Sequence, residues 1–287
     1  MPSLKAIRKR VVSVKNTQKI TKAMKMVSAA KLRRAQDAAI AARPYAEKLT
    51  ALLGNVAARV GGTTNPLLQT REEVRSIHVL LITADRGLCG GYNSNLIRKA
   101  DAFLNQHGRD RVKLTCVGRR GYDFFKRRPV QIVDKHVNLF GGPQLPLARD
   151  LAQQLIREYV EGETDAVYIV YNQFRSALVQ TPVAEQLLPI PTQTDPDADS
   201  GTDYLYEPAA DQLLDSLTRR YVTVLVHRAF LEAVASEHGA RMTAMDSATS
   251  NASDMIDRLT LEMNRARQAG ITKELMEIVG GAEALNA

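Results

Sequence analysis

The chain contains no tryptophan, and aromatic residues make up only 5 % of its 287 positions. That scarcity suits long helices better than a compact β-sandwich. Only two cysteines occur, Cys89 and Cys116, far apart and with no CxxC spacing. So few exclude a disulfide framework or a zinc site and leave plain buried thiols. The five histidines are scattered, with no HxH or HExxH spacing. No apolar run approaches the roughly 20 residues that span a bilayer, and the N-terminus has no apolar signal core. A chain made and kept in the cytoplasm is expected. Two further absences are local. Residues 1–36 hold no acid, and no proline follows Pro208.

A proline-free C-terminal third permits one long helix, and the pattern there demands one. Leu214, Leu217, Tyr221, Val224, Arg228, Leu231, Ala235, His238, Met242, Met245, Thr249, Ala252, Ile256, Leu259, Met263, Ala266 and Gly270 follow each other at threes and fours. Only Arg228 and His238 are clearly polar. Such alternation averages about 3.5 residues, which keeps one seam facing a partner helix and imposes a left-handed supercoil. Read as one helix, residues 209–279 span roughly 105 Å.

The net charge of +8 is unevenly placed. Residues 1–60 carry 14 Lys and Arg against Asp37 and Glu47, while the remainder is slightly acidic. This basic segment also reads as a helix. Ser3 is a suitable N-cap, and Leu4, Ile7, Val11, Val14, Thr17, Ile20, Met24 and Val27 repeat at threes and fours. Pro44 is expected to bend it, and Gly61-Gly62 with Asn65-Pro66 to end it.

Between the two helices the period changes. Ile77–Thr83, Val112–Val117, Val130–Val133, Ala166–Tyr171 and Val179–Leu187 read as strands. Asn93–Gln106, Tyr122–Lys126 and Leu145–Val160 read as helices. This alternation implies βαβ units and a mainly parallel sheet. Residues 189–208, with four prolines and five acids, read as a loop. The expected fold class is α/β within α+β: a long antiparallel coiled coil of terminal helices, 1–60 and 209–287, with a Rossmann-like domain, 76–190, inserted between them. A domain of roughly 115 residues has a radius of gyration of about 13 Å and cannot cover such helices. They are therefore expected to project from it, packed on each other.

Candidate chemistry is thin. Gly87-Leu88-Cys89-Gly90-Gly91 stands where a dinucleotide loop would, but lacks the GxGxxG spacing and any Walker Lys-Ser/Thr. A tight βα turn is favoured, with Asp85 and Arg86 as a cap or ion pair. Cys89 has no evident His partner. His238 reads as a packing residue. The basic helix raises a coiled-coil nucleic-acid binder as the alternative, though it has no aromatic before Tyr45 to stack on bases. Ile271, Leu275, Ile278, Val279, Ala282 and Leu285 make the C-terminal tip apolar on several faces, as if enclosed by something. From Thr243 to Asp254 the seam turns small and polar, so packing there is expected to be thin.

Three stretches carry a resemblance: Ile7–Lys31 (IRKRVVSVKNTQKITKAMKMVSAAK), Asp85–Asn95 (DRGLCGGYNSN) and Asn264–Leu285 (NRARQAGITKELMEIVGGAEAL). They resemble the gamma-subunit family of F-type ATP synthases. The last contains its signature at Ile271, Thr272, Glu274, Glu277, Gly281 and Ala282. The resemblance covers the chain in order. It implies a non-catalytic, cofactor-free central rotor, one copy per complex. The implied partners are alpha and beta subunits of a catalytic ring, an epsilon subunit and a membrane c-ring, with neither nucleic acid nor direct membrane insertion. It implies a peripheral place on the cytoplasmic face of the bacterial inner membrane, coupling proton flow to ATP synthesis and regulating ATP hydrolysis. By similarity, Met24, Lys25, Arg267, Gln268, Thr272 and Glu274 meet beta subunits, and Tyr204 and Glu207 meet the c-ring. Two departures stand out. Lys25 occupies a position where many members carry Glu. No cysteine-bearing insert lies between 190 and 208, which implies no thiol regulation of the chloroplast type.

Overall fold

The computed structural model describes residues 3–60, 65–138, 144–191 and 210–286. The elements are α1 (Leu4–Val60), β1 (Ile77–Ile82), α2 (Tyr92–His107), β2 (Val112–Val117), α3 (Arg119–Phe125), β3 (Gln131–His136), α4 (Gln144–Val160), β4 (Ala166–Phe174), β5 (Gln180–Leu188) and α5 (Ala210–Asn286). α1 continues through Pro44. The chain divides into two compact units, Ser28–Arg241 and Met1–Val27 with Met242–Ala287.

The larger unit is built on a five-stranded sheet of order β3-β2-β1-β4-β5. β1 pairs parallel with β2 and β4, β2 pairs parallel with β3, and β5 returns antiparallel on β4. All six residues of β1 are buried, as a central parallel strand covered on both faces requires. Side chains alternate between the faces. Ile77, Val79 and Leu81 pack with Leu96, Phe103 and Leu104 of α2 and with Phe125 of α3. Leu80 and Ile82 pack on the opposite side with α4, with Leu49, Leu53 and Val56 of α1, and with α5. At the end of β2, Gly118 adopts φ +94, and a Cβ there would lie 2.0 Å from the Thr83 carbonyl oxygen. Only glycine allows the two strand ends to approach so closely.

The expectation that both long helices stand clear of this domain is corrected here. Leu49, Leu53 and Val56 of α1, and Leu214, Leu217, Val222, Val226, Ala229, Phe230 and Ala233 of α5, belong to the core that covers one sheet face. The seam is real, since all seventeen of its residues are buried or half-buried. Beside it runs a second stripe (Val222, Val226, Ala229, Phe230, Ala233), each residue at most 1 % exposed. Residues of both stripes belong to the same core, so α5 is apolar around much of its girth here.

In the smaller unit the two helices are antiparallel. Lys25 Nζ lies 2.5 Å from Asp246 Oδ1, and the Thr249 hydroxyl donates to Thr21 Oγ1 at 2.8 Å. Ile7 and Val11 pack with Leu259, flanked by Val14, Met263 and Ala266. Residue numbers fall along α1 as they rise along α5. Ser3 starts α1, its hydroxyl accepting from the Ala6 amide at 3.3 Å. Along the small-residue part of the seam Ala252 is buried and Thr249 half-buried, while Asn251, Ser253, Asp254 and Met255 beside it are exposed. From Ile271 to Gly281 every residue is exposed.

Replacing Phe230 with Ala should therefore destabilise the larger unit by about 3–5 kcal/mol. Met255→Ala, at an exposed position, should change stability by less than about 0.5 kcal/mol. Urea unfolding of the isolated protein measures both, and equal costs would contradict this packing.

Candidate functional site

The resemblance-derived positions fall in two places. Met24 and Lys25 lie half-buried on α1, opposite Asp246. Arg267, Gln268, Thr272 and Glu274 lie exposed on the last turns of α5. From Asp246 to Arg267 is about 30 Å along the helix. These residues therefore fall in two separate regions and in no single pocket. Lys25 already has an intramolecular partner in Asp246, with side-chain exposures of 41 and 60 %. Near the tip, the Thr272 hydroxyl donates to the Gln268 carbonyl at 3.0 Å, and Lys273 lies 3.5 Å from Glu277. Around them Ile271, Leu275, Met276, Ile278 and Val279 are each more than half exposed. A tip so apolar requires a partner surface. Tyr204 and Glu207 lie outside the described residues.

The Gly-rich turn proves to be a packing device. Asp85 Oδ1 accepts from the Arg119 amide at 3.0 Å and so caps α3. The Ala84 amide donates to Asn93 Oδ1 at 3.0 Å, closing the turn. Leu88 and Gly90 take positive φ. Ala84, Cys89 and Tyr92 pack on Ala240 of α5. Arg241 donates to the Gly87 carbonyl through Nη2 at 3.2 Å and lies 2.7 Å from Glu237. Burial pushes the Cys89 thiol up, with Arg241 only partly opposing it, so Cys89 stays protonated. Cys116 is pushed up to about 12 by burial. Both behave as buried thiols.

Sequence reasoning missed two polar clusters. Glu237 and Arg241, four residues apart inside an apolar run, were a visible signal of a buried pair. The second cluster had none. Buried His78 on β1 has Nδ1 2.6 Å from Glu158 Oε2 and Nε2 2.8 Å from Thr115 Oγ1. Burial alone would raise the Glu158 pKa, but the His78 hydrogen bond and charge bring it below the usual value. The order Thr-His-Glu has the outline of a nucleophile triad. Thr115, however, is 1 % exposed beneath the packed helices, so no substrate reaches it. Among the described residues no group of three or more His, Cys, Asp or Glu is placed to hold a metal ion.

Arg228, polar within the seam, is paired with Glu185 at 3.2 Å and Glu232 at 3.5 Å. His238 packs beside Arg241, its Nδ1 3.5 Å from Nη1.

A family model described as ATP synthase matches residues 3–285. The chain is 53 % identical to the ATP synthase gamma chain of Moorella thermoacetica, over 99 % of this chain and 100 % of that one. The chain belongs to the ATP synthase gamma-chain family. Another member, from Geobacter metallireducens, is 49 % identical over 99 % of each chain. Among solved structures, a chain from the central stalk and c-ring of Tetrahymena thermophila mitochondrial ATP synthase aligns with TM-score 0.61 and 26 % identity. It covers 80 % of this chain and 99 % of its own. A chain from Euglena gracilis mitochondrial ATP synthase aligns with TM-score 0.66 over 98 % of this chain and 94 % of its own. At 20 % identity that likeness concerns the fold. The nucleic-acid alternative finds no support among these relatives.

One prediction follows from His238. Burial, reinforced by Arg241 and Lys31, lowers its pKa from 6.5 to about 4. The unfolded chain then binds a proton between those values that the folded chain does not, so this group's contribution is lost as pH falls through that window. Glu237, raised by burial, acts in the opposite sense. The His238 part is isolated by comparison with His238→Gln. Between pH 7 and 4 the wild-type melting temperature should fall further than the variant's. Parallel curves would count against it.

Proposed function

We propose that this chain is the central-stalk rotor of an F-type ATP synthase. The observation that carries the reading is the gamma-chain match over the full length, joined to an antiparallel helix pair ending in an exposed apolar tip. The chain is non-catalytic, and nucleotide chemistry belongs to a ring of alpha and beta subunits around the tip. Its side chains turn rotation into sequential distortion of that ring. Apolar residues from Ile271 to Val279 give the tip a greasy bearing surface with little directional preference. Arg267, Gln268, Thr272 and Glu274 supply the directional contacts with beta subunits. The eleven basic residues among the first 36 complement acidic stator groups, and Met24 with Lys25 forms a second beta contact.

The sheet-bearing unit meets the epsilon subunit and a membrane c-ring, with Tyr204 and Glu207 at the ring. No helix among the described residues is long and apolar enough to cross a membrane. Association with the cytoplasmic face of a bacterial membrane is therefore through the complex. Domain boundaries at 1–60, 76–190 and 209–287 separate two terminal helices from the inserted domain, with the shaft role resting on the parts of those helices outside the sheet core.

Reconstitution with alpha and beta subunits tests the reading. The chain should copurify with them and restore coupled ATP hydrolysis, and robust ATPase activity of the chain alone would refute it. Arg267→Ala and Gln268→Leu should each lower coupled turnover by about tenfold while the sheet-bearing unit stays folded. Unchanged ATP-driven rotation in both would reject the beta-contact assignment.

A further inference from the structure

A rotor helix held in its domain only by apolar contact can creep, because hydrophobic attraction has no direction. From Leu214 to Phe230 the embedding of α5 is mainly of that kind, with two polar contacts to the domain, Asn65 Nδ2 donating to Thr218 Oγ1 at 3.3 Å and Arg228 meeting Glu185 at 3.2 Å. In the two turns that follow, directional contacts become denser. The Tyr92 hydroxyl donates to the Ala233 carbonyl at 3.2 Å. The Ser236 hydroxyl donates to the Asn172 carbonyl at 3.0 Å, and Asn172 Nδ2 donates to the Tyr92 carbonyl at 3.3 Å. At Gly239 the helix comes close to backbone, since an added Cβ would lie 3.3 Å from Ala177 Cα. Arg241 closes the series. Its Nη1 holds Glu237 at 2.7 Å, while Nη2 and Nε reach the Gly87 carbonyl at 3.2 and 3.4 Å. Both charged side chains are 10 % exposed.

Residues 233, 236–237 and 240–241 share one helix face. Their partners come from the turn after β1 and from the β4 end. Arg241 is also the last residue of the unit, while α5 runs on in sequence to Asn286.

We propose that Arg241, seated on the Gly87 carbonyl and steadied by Glu237, is the key of a joint that transmits torque from the sheet-bearing unit into α5. The inference rests on the central-stalk reading. Arg241 is a positioning residue: it touches no nucleotide and acts by fixing the rotation and register of the helix. A planar guanidinium suits the task, since it bridges a carboxylate and a carbonyl at once. Breaking the key leaves buried polar groups unpaired, so slip under load is resisted in a way that apolar packing does not achieve.

The test uses the whole enzyme, assembled with each variant chain and placed in sealed vesicles, with ATP hydrolysis and ATP-driven proton pumping measured together. Glu237→Gln with Arg241→Gln removes the key without stranding a buried carboxylate. This double variant should assemble and hydrolyse ATP within about twofold of wild type, while protons pumped per ATP fall by about fivefold. The swap Glu237→Arg with Arg241→Glu can restore the ion pair but offers Gly87 no donor, so pumping should stay low. Arg241→Lys should recover part of it. In the isolated chain, the double variant should speed amide exchange across residues 87–91. Full pumping per ATP in the double variant would overturn the proposal. So would full rescue by the swap, which would reduce Arg241 to an ion-pair partner. Failure of the wild-type chain to assemble or pump would instead reject the central-stalk reading.

Discussion

A helix of 77 residues is not held by its own hydrogen bonds. Isolated helices are marginal in water, and most helical stability in proteins comes from burying an apolar face. The rest of this structure depends on how α5 meets that need, and it does so differently along its length. Within Ser28–Arg241 it buries two stripes in a core shared with α1, α4 and the sheet. In the other unit it buries one, against α1, and that stripe passes through Thr249 and Ala252 before reaching Leu259. At about 25 cal/mol per Å2 of apolar surface, Ala and Thr contribute much less than Leu or Phe. After Gly270 the helix has no intramolecular cover among the described residues, and its apolar side chains stand ready for another chain.

Polar contacts are distributed to match. The buried ones, at Tyr92, Asn172, Ser236, Glu237 and Arg241, occur where α5 is already enclosed, so their directionality is expressed at low dielectric. The exposed ones, such as Lys25 with Asp246, are screened by solvent and contribute less than about 1 kcal/mol. They orient the helix pair without holding it.

The Gly-rich turn shows why motif and environment must be read together. Its place between a parallel strand and a helix suits a phosphate loop. Its actual neighbours are Ala240 and Arg241. The Gly87 carbonyl faces a guanidinium, and the side chains of Cys89 and Tyr92 are buried against a helix. Its buried side chains and the Gly87 carbonyl are committed to α5, and the turn serves packing.

Periodicity alone determined the strands, their alternation with helices, the two long helices and the seam with its thin middle. These are local consequences of side-chain spacing: Ile77 to Ile82 is apolar at every position but His78 because a central parallel strand is covered on both faces, and seventeen residues at threes and fours admit one reading. The three family stretches also made the contact candidates Met24, Lys25, Arg267, Gln268, Thr272 and Glu274 legible. Tertiary structure alone decided what the second stripe of α5 touches, since Val222, Val226 and Phe230 look the same in sequence whether they face a helix or a sheet. It also decided that His78 pairs with Glu158, eighty residues away, and that Arg241 reaches the Gly87 carbonyl. Such contacts join residues distant in the chain through a backbone oxygen or a lone buried ring, and neither leaves any periodic trace.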